Sequence, residues 1–530
     1  MIAAVTVFFD FNLPNSTTWF YFSWLLAMAL FFVLMGVICK ATLDRKAPWF
    51  IPPVVAIIVA VIAFFVVKLA TPSLYASLVG GVEFLTGGNT FLSAINEISP
   101  LFSYNGGLSV EIPWDYFSCA GVLAVLGLIT YLAVTIPRRR MRNNEIFLLV
   151  WTAIVLVLGV MQSRFVYLLS VTVAIFAGYM IYKALELTGL FEAPDQEKAP
   201  ARRKEPAKKG RSAEITPPVV AVLIVAAIAL LPALWGSATA ASTNIYYYTT
   251  DWCQACQWVD AHTPPTSNAY SADKGTTPEY GIMSWWDYGD YILYEAERPA
   301  VANNFQTGIP DAAHFFIAQD EASADAIMDK VNAKYVMVDY RQGSSAAGVA
   351  GGIFDNMPLL AGDDASGYAT SYLVPEPYGS QQMYDGSAKY YGSIYSRLFN
   401  GDGLGGRDPL GYTANGLAHY RLLYMTRGVD PVKVFQYTKG ATITGTAAPG
   451  ATISARLNMT MVDGAHTYYT STTAGADGSY SLAVPYPTSA TVGTTQTGAA
   501  YILTSGASSV DVQVPADAAD NGGTVASGKL

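Results

Sequence analysis

The stretch Trp285-Trp286-Asp287-Tyr288-Gly289 gathers two indole N–H donors, one carboxylate and a glycine into five consecutive positions. Presented from one short turn, two donors and an acceptor can converge on a single small hydroxyl, while a glycine lets the backbone turn and another segment approach. Such a site rejects analogues lacking the hydroxyl, because its buried donors would be left unpaired. The alternative for a tryptophan pair close to apolar spans is an interfacial belt or a turn in a core.

Two charged residues stand out for the cost of their surroundings. Glu97, in AINEISP, is flanked by apolar residues in a connection between two apolar spans. A carboxylate near hydrocarbon is either solvated or used as a metal ligand or general base, since an unpaired charge there is costly. Arg164 opens RFVYLLSVTVAIFAG at the start of a span, with no acidic neighbour in sequence. Its guanidinium either snorkels to headgroups or holds a phosphate bidentately. In DWCQACQWVDAHTPP, Cys253 and Cys256 have redox or zinc spacing, but no second Cys or His pair stands at ligand distance. Burial on one helix face, or an exposed disulfide, accounts for them.

These residues need elements to position them. A chain of 530 residues exceeds what one hydrophobic core serves, and 52% hydrophobic against 13% charged residues suits a membrane protein. Six apolar stretches reach spanning length: Thr18 to Cys39, Phe50 to Ala70, Tyr116 to Ile136, Ile146 to Met161, Phe165 to Leu185 and Pro217 to Trp235. The basic stretches CKATLDRKAP, PRRRMRNN and EKAPARRKEPAKKGR fall at alternate connections, which places them on the cytoplasmic side. That topology puts the first residues, the Lys- and Arg-free loop 71–113 and everything after about Ser237 outside the cell. The opening MIAAVTVFFDFNLPN lacks a basic n-region and reads as no cleaved signal peptide. A net charge of −9 argues against nucleic acid as a partner.

The expected organisation is a transmembrane domain over 1–236, an extracytoplasmic mixed α/β domain over 237–431 and a β-rich domain over 432–530. EASADAIMDKVNAK has helical period and YVMVDY reads as a buried strand, while 343–367, rich in Gly, Ala and Asp, reads as a long loop or flap. Alternating runs such as ATITGTAAPGATISARL and GSYSLAVPYP predict a sandwich-like module of about seven strands or fewer, closing in a polar tail. It holds no catalytic constellation and reads as a spacer or prop.

The motif WWDYG, the RPAVANNFQTG that follows it, AINEISP and RFVYLLSVTVAIFAG together resemble the catalytic subunit of oligosaccharyltransferase, most of all its archaeal single-subunit form. The resemblance covers roughly residues 18–430 and implies a partial GT-C-like membrane fold. It also implies transfer of an oligosaccharide from a dolichyl (di)phosphate carrier to Asn in Asn-x-Ser/Thr. By position, Trp285, Trp286 and Asp287 would bind the acceptor Ser or Thr hydroxyl, Glu97 would contact a Mn²⁺ or Mg²⁺ ion and the acceptor amide, and Arg164 would hold the lipid-linked phosphate. Ile394, in MYDGSAKYYGSIYSRLF, stands where the family places a contact to the threonine methyl, although neither form of that family motif is intact. An ordinary amphipathic helix explains Lys389 and Ile394 equally.

Partners implied are lipid-linked oligosaccharide and acceptor proteins such as S-layer proteins, at the cell membrane. The family's early acidic metal-binding motifs and about half its spans are not recognisable, FFDFN around Asp10 offering one carboxylate. The expectation is therefore an enzyme inactive without an N-terminal half. The alternative readings are a polytopic transferase acting on another acceptor, which has no use for WWDYG, and a non-catalytic surface protein that binds acceptors. Sequons at Asn15 and Asn458 both fall on the expected outer side.

Overall fold

A computed structural model of the chain describes most of residues 98–530 and parts of the first 97. Residues 1–28, 81–97, 189–215, 243–248, 268–277 and 408–412, with a few shorter stretches, lie outside the described residues. Glu97, Asp10 and Asn15 are among them. The chain forms two compact units, Met1–Asn89 and Thr90–Leu530. In the first, α1 (Ile51–Ala70) follows a shorter apolar helix over Phe32–Thr42. Val54, Ile57, Val61 and Ile62 on α1 are exposed, as a lipid-facing surface requires.

The second unit opens with α2 (Glu111–Thr135), α3 (Asn143–Met161), α4 (Val166–Leu187) and α5 (Pro217–Ser242). With their flanking turns, these four stretches run 19 to 28 residues and are long and apolar enough to cross a membrane. The shortest covers ~28 Å at 1.5 Å per residue. Spans expected from Tyr116, Ile146, Phe165 and Pro217 are thus helical. Where lipid tails offer no hydrophobic drive between helices, close approach holds them together. A Cβ at Gly127 on α2 would lie 1.9 Å from the carbonyl oxygen of Phe176 on α4, so only glycine permits this crossing.

The α/β part is built on a four-stranded sheet of β1 (Gly281–Met283), β2 (Ala333–Asp339), β3 (Tyr420–Met425) and β4 (Val432–Tyr437), in the order β1-β2-β4-β3. Strand β2 is parallel to β1 and antiparallel to β4. Six of its seven residues are buried, which explains why YVMVD is apolar without alternation. Around the sheet lie α6 (Thr250–His262), α7 (Gly289–Glu295), α8 (Ile309–Ile317) and α9 (Glu321–Lys330). Asp320 caps α9 by accepting from Ser323 N, which fixes where the expected helix begins.

Several expectations are corrected. Val432–Tyr437, assigned by composition to the β-rich region, is instead a strand of the central sheet, paired with β2 from Val432↔Asp339 to Gln436↔Tyr335. The segment 343–367 is no flap: Asp355 accepts from Ser344 Oγ (2.7 Å) and Ser345 N (3.2 Å), folding it into short helical turns. The β-rich module has nine strands, in a three-stranded and a six-stranded sheet. Its expected polar tail forms a helix, Ala516–Asn521, and a strand, Thr524–Lys529, that pairs in parallel with Ala441–Thr446.

One hydrophobic core runs without a break from Trp252 to Ala519. At the junction, Leu422 N on β3 donates to the buried Tyr486 hydroxyl (2.8 Å), and Thr495 Oγ1 donates to Leu422 O (3.1 Å). Thr494 N donates to Leu423 O at 2.7 Å. The module therefore covers the edge strand β3, an edge that would otherwise expose unpaired backbone groups.

Candidate functional site

The turn Trp285–Gly289 leaves the end of β1. Trp286–Tyr288 form one turn of 3₁₀ helix, and Gly289 begins α7. Gly289 has ordinary helical dihedrals, so glycine is needed there for space: a Cβ would lie 2.1 Å from Ala302 O and 2.5 Å from Asn303 Cα. The approaching chain is RPAVANNFQTG, tied to β1 through Ile282 N to Pro299 O (2.8 Å) and Val301 N to Ile282 O (2.9 Å). The close approach expected of Gly289 is thus present, and it packs the two adjacent motifs into one unit.

The four side chains of the turn divide by burial. Trp285 is 1% exposed and Tyr288 fully buried, whereas Trp286 and Asp287 are half-buried. The turn faces outward through Trp286 and Asp287 and is anchored inward by the other two. Tyr288 stacks on Trp252 of α6, with centroids 4.1 Å apart and planes 13° from parallel. Trp252 Nε1 donates to Asp339 Oδ2 at 2.9 Å, and Gln342 N donates to Asp339 Oδ1 at 3.0 Å. Asp339, the last residue of β2, is completely buried, and burial pushes its carboxyl up to about 6 against these donors. Burial first, and then the Asp339 charge beside it, raise the Tyr288 phenol well above its ordinary range.

A second anchor is Arg298, 3% exposed. Nε donates to Thr263 Oγ1 and the Tyr280 hydroxyl, both at 3.0 Å; Nη2 donates to Asp260 O (2.9 Å) and Thr263 O (2.8 Å); Nη1 donates to Ala296 O (3.0 Å). The guanidinium thus caps the C-terminal carbonyls of α6 and binds them to the segment behind the turn. Sequence reasoning missed Trp252, Asp339 and Arg298. Their available signals were a charge ending an apolar strand, in YVMVD, and an arginine directly before the proline that bonds β1.

Arg164 lies on the 3₁₀ turn Ser163–Phe165 between α3 and α4. Ser163 N donates to Ser99 O (2.9 Å), and Leu101 N to Val160 O (3.2 Å). The residues immediately after Glu97 in sequence are therefore fastened to the turn that carries Arg164. Ile394 begins a short helix, is fully buried, and donates its backbone N–H to Ala318 O at 2.9 Å. Its side chain packs in the core and presents no surface to a peptide in this conformation. Cys253 and Cys256 share α6 without a disulfide, and Cys256 is fully buried. Asn458 is exposed on the strand Thr452–Met461 and accepts from Thr467 Oγ1 at 3.1 Å.

Among the described residues, one group of acidic and histidine side chains can hold a divalent cation: Glu321, Asp325 and His419. It does not adjoin the Trp285–Gly289 turn. Asp339 pairs with Val432 at one end of β4, and Tyr420, next to His419, pairs with Tyr437 at the other. With β1 and β3 on opposite edges, the group lies at the far end and far edge of the sheet, roughly 14 Å across at 4.8 Å per strand.

Comparison with known proteins agrees with this architecture. The AglB core domain matches residues 249–343, and the archaeal glycosylation protein B long peripheral domain matches 440–525. Dolichyl-phosphooligosaccharide-protein glycotransferase 2 of Archaeoglobus fulgidus is 30% identical over 258 residues, 48% of this chain and 39% of that protein. The AglB glycotransferase of Haloferax volcanii is 26% identical over 503 residues, covering 71% of this chain and 47% of its own length. The chain thus spans less than half the length of these two relatives. The fold matches the crystal structure of the apo oligosaccharyltransferase of A. fulgidus with a TM-score of 0.76 at 20% identity, covering 99% of this chain and 71% of that one. It also matches A. fulgidus AglB in complex with an inhibitory peptide and a dolichol-phosphate, with a TM-score of 0.73 at 20% identity over 96% of this chain and 67% of that one. In its core domain, its peripheral domain and its fold, the chain is similar to archaeal AglB proteins.

Proposed function

We propose that this chain transfers an oligosaccharide from a dolichyl phosphate or diphosphate to the side-chain amide of Asn in Asn-x-Ser/Thr, at the outer face of a membrane. The observation that carries the reading is the divided turn: Trp286 and Asp287 half-exposed, held by buried Trp285 and Tyr288, the latter stacked on Trp252, which Asp339 fixes. A rigid donor–acceptor pair is what recognition of one hydroxyl requires. Names of the relatives support the donor class, and solved neighbours hold a dolichol-phosphate in one case and a tethered NVT sequon peptide in another.

In this mechanism Trp286 and Asp287 bind the Ser or Thr hydroxyl, with Trp285 as the wall behind them. Arg164 holds the carrier's phosphate through its planar fork. Glu97 accepts an N–H of the acceptor amide and draws the nitrogen lone pair out of conjugation. The nitrogen then attacks the anomeric carbon as the bond to the phosphate oxygen breaks, and gives up its proton to Glu97. A Mn²⁺ or Mg²⁺ ion with Glu97 among its ligands would take up charge on the leaving phosphate. Among the described residues, no ligand set for that ion gathers around the turn. Soluble acceptors of the S-layer kind fit a site on the extracytoplasmic side.

The test is transfer from a dolichyl-linked oligosaccharide to an Asn-x-Thr peptide with Mn²⁺, by the chain alone and co-expressed with any early membrane segment encoded beside it. Transfer and peptide binding should both fail in Asp287→Ala and for an Asn-x-Ala peptide, whereas Glu97→Gln should keep peptide binding and lose transfer. Equal binding of Asn-x-Thr and Asn-x-Ala peptides would refute hydroxyl reading by the turn. Peptide binding without transfer in every combination would make the chain an acceptor-binding protein.

A further inference from the structure

Away from the Trp285–Gly289 turn, a set of side chains is arranged for a task the proposed transfer does not use. Glu321 and Asp325 lie four residues apart on α9, so both carboxylates leave one helix face. His419, directly before β3, comes to meet them. One ligand atom from each lies within 4.8 Å of the others. His419 Nδ1 is 3.8 Å from Glu321 Oε1 and 2.5 Å from Asp325 Oδ2. Around a tetrahedral zinc ion with bonds near 2.1 Å, ligand atoms stand roughly 3.4 Å apart. The longer edge already fits, and the shorter must open by roughly 1 Å as an ion replaces that hydrogen bond.

An independent observation points into the same space. Tyr420, the residue after His419, is 0% exposed, and its hydroxyl makes no hydrogen bond. It faces these carboxylates, Asp325 above all, whose oxygen stands outside ordinary hydrogen-bond geometry. Asp325 Oδ1 is likewise shut off from solvent and unpartnered. Native interiors seldom leave such atoms unsatisfied, and two beside one carboxylate group are what a bound cation would satisfy. Exposure of 17%, 14% and 30% at Glu321, Asp325 and His419 leaves a way in.

We infer that Glu321, Asp325, His419 and Tyr420 form a divalent-cation site of zinc type, separate from the transfer site. One imidazole, two carboxylates and a phenol are donors of intermediate hardness, suited to Zn²⁺ more than to Mg²⁺ or Ca²⁺. Its place in the fold gives it a clamping role. Glu321 already accepts from Ala418 N (2.9 Å) and His419 N (2.7 Å), and Thr438 N donates to His419 O (2.8 Å). The ion fastens α9 to the segment that enters the edge strand β3, next to the point where the β-rich module begins.

The test uses the full chain in detergent, stripped with chelator. Co²⁺ should bind at one equivalent with visible absorption, be displaced by Zn²⁺, and Zn²⁺ should raise the Tm in proportion to occupancy. Asp325→Asn and His419→Gln should weaken Zn²⁺ at least tenfold, while Trp286→Ala binds as the parent does. In the unaltered chain, Zn²⁺ should also protect His419 from acylation by diethyl pyrocarbonate, read by mass spectrometry, which needs no variant to fold. Absence of Co²⁺ binding, Zn²⁺ affinity unchanged in Asp325→Asn and His419→Gln, or acylation of His419 at the same rate with and without Zn²⁺ would each overturn the site.

Discussion

Trp252→Phe tests whether the turn is held by a charge. The phenyl ring keeps a stack on Tyr288, now at 4.1 Å, but removes the 2.9 Å donor to Asp339 Oδ2. A hydrogen bond to a charged group is worth ~1.5–3 kcal/mol, which for a unit of this size lowers Tm by roughly 3–10 °C. The loss must depend on pH. Asp339 has its carboxyl raised to about 6 in the folded protein. An unfolded aspartate titrates near ~3.9, so the native state holds this proton to higher pH than the unfolded state does. Stability from this group is therefore greatest below about pH 4 and is lost as pH rises through about 6. Removing the indole donor disfavours the charged form more than the neutral one and pushes the folded pKa higher still. The deficit of the variant should be full at pH 8 and shrink to ~1 kcal/mol at pH 4.5, where Asp339 is neutral and loses only an ordinary hydrogen bond. Thermal melts of parent and variant at the two pH values read this directly. Equal deficits at both would refute the claim that Trp252 serves the Asp339 charge.

Gly289→Ala forces a methyl against Ala302 O and Asn303 Cα, and should cost ~1–3 kcal/mol by overpacking while abolishing sequon-peptide binding, measured by calorimetry. Arg298→Lys keeps the charge but cannot reach both Thr263 O and Asp260 O, and should cost about 3 kcal/mol, seen as a lowered Tm. Tyr486→Phe removes the acceptor for Leu422 N and should cost ~1–3 kcal/mol, with faster hydrogen exchange at β3 as its local signature. Arg164→Ala should raise the KM for the lipid-linked donor and leave peptide affinity unchanged; a change in peptide affinity would place Arg164 elsewhere in the reaction.

What the sequence disclosed and what it hid follow from the range of the interactions. Trp285 to Gly289 are consecutive, so their joint chemistry and the space needed at Gly289 were legible in five letters. YVMVDY was legible as a strand because both its faces are buried and its apolar run is continuous. The partner of Asp339, by contrast, stands 87 residues earlier, and nothing in DWCQACQW marks Trp252 as its donor. The cation group has the same character: the spacing of Glu321 and Asp325 is local, but His419 arrives 94 residues after Asp325. Strand Val432–Tyr437 lies directly before the strands of the module, and only pairing decides which sheet receives it. The last residues look like a polar tail because their strand is small and exposed, yet they close a sheet opened by Ala441–Thr446.

The corrected boundary alters what the β-rich module is for. A spacer would meet its neighbour through a polar, separable surface, as domains within a chain commonly do. Here Leu422 and Leu423 of β3 bond through their backbones to Tyr486, Thr494 and Thr495, and Arg421 reaches Asp520 at 2.6 Å. The central sheet is therefore finished by the module, and without it β3 would present a free edge. That edge is joined through β4 to β2, whose last residue is Asp339, and so to the scaffold under Tyr288 and the turn. Reaction between two bound substrates is sensitive to displacements of about 1 Å, which can lower rates ~10²-fold. A module without catalytic residues is thus tied, through three strands, to the scaffold on which Trp286 and Asp287 stand.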